Sequence, residues 1–275
     1  MKAYFHKSFV LERDNISKVL AVISESPAAS LQQIAEETGI GIGRNVSDGK
    51  VRPTIQYAIY CGLLKPESIE SRNHIEFSEL GRVVFEHDPR LKLSVSQWVM
   101  HYSLCQTENE ALVWSFFVHD FLPKFSEFDP STLKRELELH FPDLSEDNIK
   151  DYRRILISCY VDGNGLPKLR LIESWEKDKY LRGSVNYPNA YLAAYLLADI
   201  WEAKHPDRSM VQPSVLLERG HLTSTLNLTR DDLQTSLNEM SAIGAITQMR
   251  EAPPFQVVRK WTNKFDLLRH AYEEN

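Results

Sequence analysis

The sequence predicts a mainly α protein with an N-terminal winged helix-turn-helix, a central helical bundle and a C-terminal winged-helix-like unit. Three observations point there. Apolar residues recur at i, i+3 and i+4 through most of the 275 residues. Near each end of the chain, two helical stretches are followed by two short β-rich pieces. Residues 31–62, LQQIAEETGIGIGRNVSDGKVRPTIQYAIYCG, read as two helices joined by a Gly-rich, polar turn. The length exceeds one ordinary domain, and the punctuation places boundaries at 1–90, 91–186 and 187–275.

Taken in order, residues 1–12 alternate apolar and polar side chains through Phe5, Phe9 and Leu11, the pattern of an extended arm. A helix over 14–24 follows, with Ile16, Val19, Leu20 and Ile23 as its core stripe and Pro27 beyond it. Ser30 caps the next helix, Leu31, Ile34 and Ala35 share its inner face, and Gly39 ends it. The second helix of the pair is expected from Pro53 to Gly62, with Ile55, Ala58 and Ile59 inward and Gln56, Tyr57 and Tyr60 outward. Arg44, Asn45, Lys50 and Arg52 lie in the turn just before it. In a helix-turn-helix, the start of the second helix and its approach meet a DNA groove and its phosphates, so these residues with Gln56 and Tyr57 are the DNA-contact candidates. The alternative is a three-helix core unit with a solvated loop. Strand candidates at 63–65 and 74–77, bridged by PESIESRN, make a wing whose tip offers Arg72 and Asn73, or an ordinary polar hairpin loop.

Residues 78–89, SELGRVVFEHDP, form a capped amphipathic helix, and helical periodicity returns at 94–105, 109–122, 130–140 and 145–160. The stretch NEALVWSFFVHDFL is apolar nearly all round, as a helix inside a bundle is. Trp114, Phe116, Phe117 and Phe121 are therefore assigned to the core rather than to a base-stacking platform. From Asp162 onward, turn residues precede β-rich pieces near 169–172 and 180–185. Residues 188–204 return to helix. Thr229 and Asp232 then open a capped helix that Gly244 ends, and AITQMR and FQVVRKW complete a second hairpin. Asp231, Asp232 and Glu239 on this last helix repel phosphates, so the C-terminal unit is expected to meet protein or to pack internally.

Composition narrows the class. Hydrophobic residues at 43% and charged residues at 25% describe a globular chain. No run is long and apolar enough for a bilayer and none resembles a secretion signal, so a cytoplasmic protein without membrane attachment is expected. Cys61, Cys105 and Cys159 are far apart in apolar contexts, which points to buried thiols. Net charge is −6, yet residues 1–100 carry 12 basic and 12 acidic side chains; the acidity lies further on, with 11 against 15 in 101–186 and 9 against 11 in 187–275. A neutral N-terminal third can bind DNA through a local basic cluster, with strong salt dependence.

FHKSFVLERD, GIGIGRNV, FSELGRVVFEHDPRL and ALVWSFF followed by KDYRRILISCYVDG together resemble a bacterial family described as a domain of unknown function and encoded beside sulfur-transfer genes. Its members include the B component of single-strand DNA phosphorothioation systems, written SspB. The resemblance covers roughly residues 4–200. It implies a DNA-binding protein that nicks one strand with Mg²⁺, working beside a cysteine desulfurase and an ATP-using sulfur-insertion protein in anti-phage defence. A non-catalytic DNA-binding scaffold that recruits those enzymes, and a winged-helix transcription regulator, are the alternatives. The chain departs from the family pattern at VSDGKVRP, which intervenes between the GxGxN turn and the second helix.

A Mg²⁺-dependent nuclease needs carboxylates converging on one ion. The sequence has no D-x-D, no PD-(D/E)xK-like run and no Walker A loop. The metal candidates are Asp151, four residues after Asp147 on one helix face, and Asp162 in VDGNG. Each has a structural alternative, since Asp151 can pair with Arg154 and VDGNG can be a plain turn. His6, His101, His140 and Tyr160 are acid–base candidates only by residue type, and no catalytic residue is assigned.

Overall fold

The computed structural model describes residues 5–41, 49–65, 75–106, 111–250 and 253–274. The chain divides into two compact units, residues 1–186 and 187–275. Both are mainly helical, each with one small antiparallel sheet.

In the first unit, α1 (Arg13–Glu25) buries Ile16, Val19, Leu20 and Ile23 as its periodicity requires. α2 (Leu31–Thr38) begins where the Ser30 side chain accepts from the Gln33 amide and stops at Gly39, whose φ of 70° the absent Cβ permits. α3 spans Val51–Tyr60, two residues earlier than Pro53 suggested. After it, Leu64 and Phe77 form a single antiparallel bridge, and the stretch between them that carries Arg72 and Asn73 lies outside the described residues. Ser78 caps α4 (Glu79–His87), in which Gly81 is obligatory: a Cβ there would lie 1.8 Å from the Leu63 carbonyl oxygen.

α5 (Ser94–Leu104) is buried on nearly every side, with Trp98, Val99 and Met100 fully enclosed. The apolar stretch beyond it forms α6 (Leu112–Phe116), a π-helical turn (Phe117–Phe121) and α7 (Leu122–Lys124), and Trp114, Phe116, Phe117 and Phe121 are core residues as expected. His119 is buried too, its Nε2 2.9 Å from the Cys105 carbonyl oxygen. β1 (Glu127–Phe128) leads into α8 (Pro130–His140), capped by Asp129, and Ser145 caps α9 (Glu146–Val161). β2 (Ile172–Glu176) and β3 (Lys179–Arg182) close a sheet of order β1-β3-β2.

The N-terminal segment corrects the sequence reading. Residues 5–8 form a turn, with positive φ at Lys7 and Ser8, in place of an extended arm. The cause is aromatic packing. Phe5 sits with its centroid 5.2 Å from that of Tyr57, 4.4 Å from Tyr60 and 5.7 Å from Trp114, and His6 lies edge-on to Tyr152 at 4.6 Å. Each well-formed aromatic pair adds ~0.5–1.5 kcal/mol beyond its buried area, enough to fold the segment back on itself.

In the second unit, α10 (Ala190–Lys204) is buried on most faces and packs on α12 (Arg230–Ala242) and α13 (Lys264–Glu273). The capping box at the start of α12 is present: the Thr229 hydroxyl accepts from the Asp232 amide, and the Asp232 carboxylate accepts from the Thr229 amide. β5 (Ile246–Met249) and β6 (Gln256–Arg259) form the expected hairpin. β4 (Met210–Val211), which periodicity did not mark, pairs with β6 on its other edge to give the order β4-β6-β5, and α11 (Leu222–Leu226) lies between β4 and α12 in sequence. No helix among the described residues is long and apolar enough to cross a membrane.

Candidate nucleic-acid interface

The start of α3 carries the basic residues that can be located. Arg52, the second residue of the helix, is exposed, and Gln56 stands half-buried one turn further along the same edge. Lys50 occupies the N-cap position, where its Nζ pairs with Glu12 and lies 5.9 Å from the centre of the Phe9 ring. It is thus a partly committed cation rather than a free loop lysine. Arg44, Asn45 and Arg72 lie outside the described residues.

Tyr57 does not sit on an outer face. It is 1% exposed, its hydroxyl donates to the Phe9 carbonyl oxygen at 2.9 Å, and burial pushes its pKa well up. Tyr60, at 7% exposure, is covered as well. A single core stripe through Ile55, Ala58 and Ile59 leaves these two rings outward. The 5–8 turn packs over that second side of α3 and buries them, so neither ring is presented to a groove.

The metal candidates have structural occupations. Asp151 pairs with Arg154 at 3.5 Å. Asp162 is the C-cap of α9 and accepts a hydrogen bond from the Ser158 hydroxyl. The loop that follows it is held by Arg13, whose guanidinium donates to the carbonyl oxygens of Gly163 at 2.6 Å, Leu91 at 2.7 Å and Gly165. Asn164 in turn accepts from the Asp14 amide through Oδ1 at 3.1 Å and from the Arg13 amide through its carbonyl oxygen at 2.9 Å. The oxygens of VDGNG therefore receive the N-terminus of α1 and a buried guanidinium, not a cation-binding shell. Among the described residues no three His, Cys, Asp or Glu side chains gather as an all-protein metal cage would need, and Asp151 and Asp162 are each engaged by a neighbouring side chain.

The acid–base candidates do not converge either. His6 is fully buried, its Nδ1 accepts from the Ser8 amide at 3.2 Å, and desolvation lowers its pKa to about 4. His101 Nδ1 lies 2.9 Å from the Tyr160 hydroxyl in the core, while His140 is exposed and stacks on Phe116. The three cysteines are free and buried, with thiol pKa values raised by desolvation, that of Cys159 to about 12.

What the structure does bring together is a cleft of about 550 Å³ along α9. Lys150, Arg153, Arg154, Ile157, Ser158 and Val161 line it at i, i+3, i+4, i+7, i+8 and i+11, together with Asp151, Asp162, Asp178 and Tyr180 of β3. A second cleft of about 520 Å³ adjoins it, sharing Pro130, Arg153 and Asp178 and adding Lys177 and Lys179 of the β2–β3 hairpin. Sequence reasoning missed this mixed-charge surface, on which five basic side chains stand among Asp129, Asp151, Asp162 and Asp178. The helical spacing of Lys150, Arg153 and Arg154 was its one visible signal.

Comparison with known proteins bears on the whole chain. Two SspB crystal structures, one of them magnesium-bound, match with TM-scores of 0.77 and 0.75 at 19% identity, covering 98% of this chain and 86% of theirs. At that identity the match establishes a shared fold. No curated protein sequence matches. A family model described as a protein of unknown function, DUF4007, matches residues 4–272, and the chain belongs to that family.

Proposed function

We propose that the protein engages DNA as a component of a phosphorothioate-modification and anti-phage defence system. The observation that carries this is the fold shared with SspB over nearly the whole chain. In this reading residues 1–90 act as a winged-helix DNA-binding unit, with Arg52 and Gln56 at the start of α3 and with Arg44, Asn45, Lys50 and Arg72 supplying further contacts. Residues 91–186 form the helical middle and residues 187–275 a winged-helix-like unit that meets protein. The expected partners are a cysteine desulfurase and an ATP-using sulfur-insertion protein. The magnesium-bound SspB structure supports Mg²⁺ as the cofactor, and strand nicking is the reaction that the resemblance to the SspB-containing family implies.

A second reading is favoured by a specific observation. Asp151 and Asp162 are engaged by Arg154 and Ser158, as expected of a scaffold that delivers enzymes to DNA without cutting it. Supercoiled plasmid incubated with the protein, with and without Mg²⁺, separates the two. Conversion to open circle only with Mg²⁺ supports nicking. Plasmid retarded in a gel but still supercoiled, with the sulfur-transfer partners present, supports the scaffold. Absence of any DNA retardation at low salt overturns both.

A further inference from the structure

One face of α12 borders a groove of about 100 Å³ in the second unit. Asp232, Thr235, Ser236 and Glu239 line it at i, i+3, i+4 and i+7, with Tyr187 and Leu228 beside them. None of its lining side chains is basic. Arg230 falls on the opposite side of the helix by spacing, and Arg250 donates to Asn238 and Gln248. The Asp232 carboxylate is fixed in position, accepting from the Thr229 amide at 2.9 Å, from its hydroxyl at 2.7 Å and from the Tyr187 hydroxyl at 3.2 Å. Glu239 is exposed and has no ion-pair partner among the described residues. Ser236 adds an independent sign of a ligand. It is 9% exposed and lines the groove, yet its hydroxyl has no hydrogen-bond partner among the described residues. A buried hydroxyl left unpaired is costly, so one that faces a groove calls for a partner from outside.

The groove is well below the ~300 Å³ at which small-molecule sites begin, and matches the end of a single side chain. Its two carboxylates lie ~10 Å apart along the helix, with the Ser236 hydroxyl between them. Glu239 leans toward the helix N-terminus, as helical side chains do, and so toward Ser236. This arrangement selects a cation whose donors point several ways. A guanidinium carries five N–H groups in one plane and lays its face on an aromatic ring, which Tyr187 offers at 44% exposure. An ammonium is a compact point charge that uses neither feature as well. We propose that this groove takes an arginine side chain of a partner protein, with its guanidinium against Tyr187 and its N–H groups donating to Asp232, Ser236 and Glu239. The site rests on the reading of the C-terminal unit as protein-facing, and names the side chain by which that unit holds its partner.

The test titrates the full isotope-labelled chain with N-acetyl-arginine methylamide, and with the neutral citrulline analogue as control, while backbone amide shifts are followed by NMR. The arginine probe should move the amides of Asp232, Thr235, Ser236 and Glu239, and the citrulline probe should bind at least fivefold more weakly. Glu239→Gln and Ser236→Ala should each weaken arginine binding at least threefold, with thermal melting to confirm that both variants fold. Equal binding of the two probes, no shift at these amides up to tens of millimolar, or unchanged affinity in both folded variants overturns the inference. Pull-down of the cysteine desulfurase and of the sulfur-insertion protein by Glu239→Lys is measured alongside. Lost capture together with arginine binding supports the inference, and unchanged capture of both proteins overturns it. Lost capture without arginine binding overturns the arginine groove and leaves the protein-facing reading standing. A wild-type chain that captures neither protein overturns that reading itself.

Discussion

Arg13 is the side chain on which the first unit should depend most. It is 7% exposed, and its guanidinium reaches three backbone carbonyl oxygens in two separate loops, at Leu91 after α4 and at Gly163 and Gly165 after α9. Truncation by Arg13→Ala strands these acceptors unequally. Gly163 is exposed and rehydrates, whereas Leu91 and Gly165 are buried. A buried acceptor left unmet costs ~1–3 kcal/mol, so two of them together with the lost packing of the arginine stem give ~3–5 kcal/mol. For a unit of this size each kcal/mol moves the midpoint by ~2–4 °C, so the melting transition should fall by ~6–20 °C. Arg13→Lys should recover little, because one ammonium on a flexible stem cannot match a planar fork aimed at three oxygens. Circular dichroism melts and urea titrations of the full chain measure this. A loss below ~1 kcal/mol for Arg13→Ala would refute the account of Arg13 as the tie between α1 and the VDGNG loop.

Three further outcomes are expected. Arg52→Ala should weaken binding to all duplex sequences alike and flatten the slope of log K against log salt by ~0.9, whereas Lys50→Ala, already paired with Glu12, should change it less; equal slopes in both variants and wild type would remove α3 from the DNA surface. His6 stays neutral in the folded state down to about pH 4 while the unfolded chain takes up its proton near 6.5, so stability should fall by ~3 kcal/mol as pH drops through that window. A His6→Phe variant should lose that part of the slope, and identical pH profiles would contradict it. On α12, Asp231→Lys should weaken pull-down of a sulfur-transfer partner and leave DNA affinity unchanged or higher. Asp232→Lys should in addition cost ~0.5–2 kcal/mol, since it breaks the capping box, and a drop in DNA binding from Asp231→Lys would argue against a protein-facing unit.

The features that the sequence alone determined are those written in nearest neighbours. Ser30, Ser78, Ser145 and Thr229 each accept from an amide three residues on, and Gly39 and Gly244 take the left-handed turn that ends a helix. A cap needs only its own turn of backbone, so α2, α4, α9 and α12 were legible to within a residue or two, as was the buried character of the helix through Trp114. The tertiary structure decided whatever depends on a partner distant in sequence. Tyr57 reads as outward until Phe5 and Phe9, 48 residues away for the Phe9 hydrogen bond, arrive over it. The VDGNG turn reads as an open oxygen-rich loop until the Arg13 guanidinium, 150 residues upstream of Gly163, donates to its carbonyl oxygens. The paired clefts needed α8, α9 and a hairpin to meet, and of these only the α9 stripe has a periodicity of its own. Helical spacing records which residues share a face, and only packing determines what that face meets.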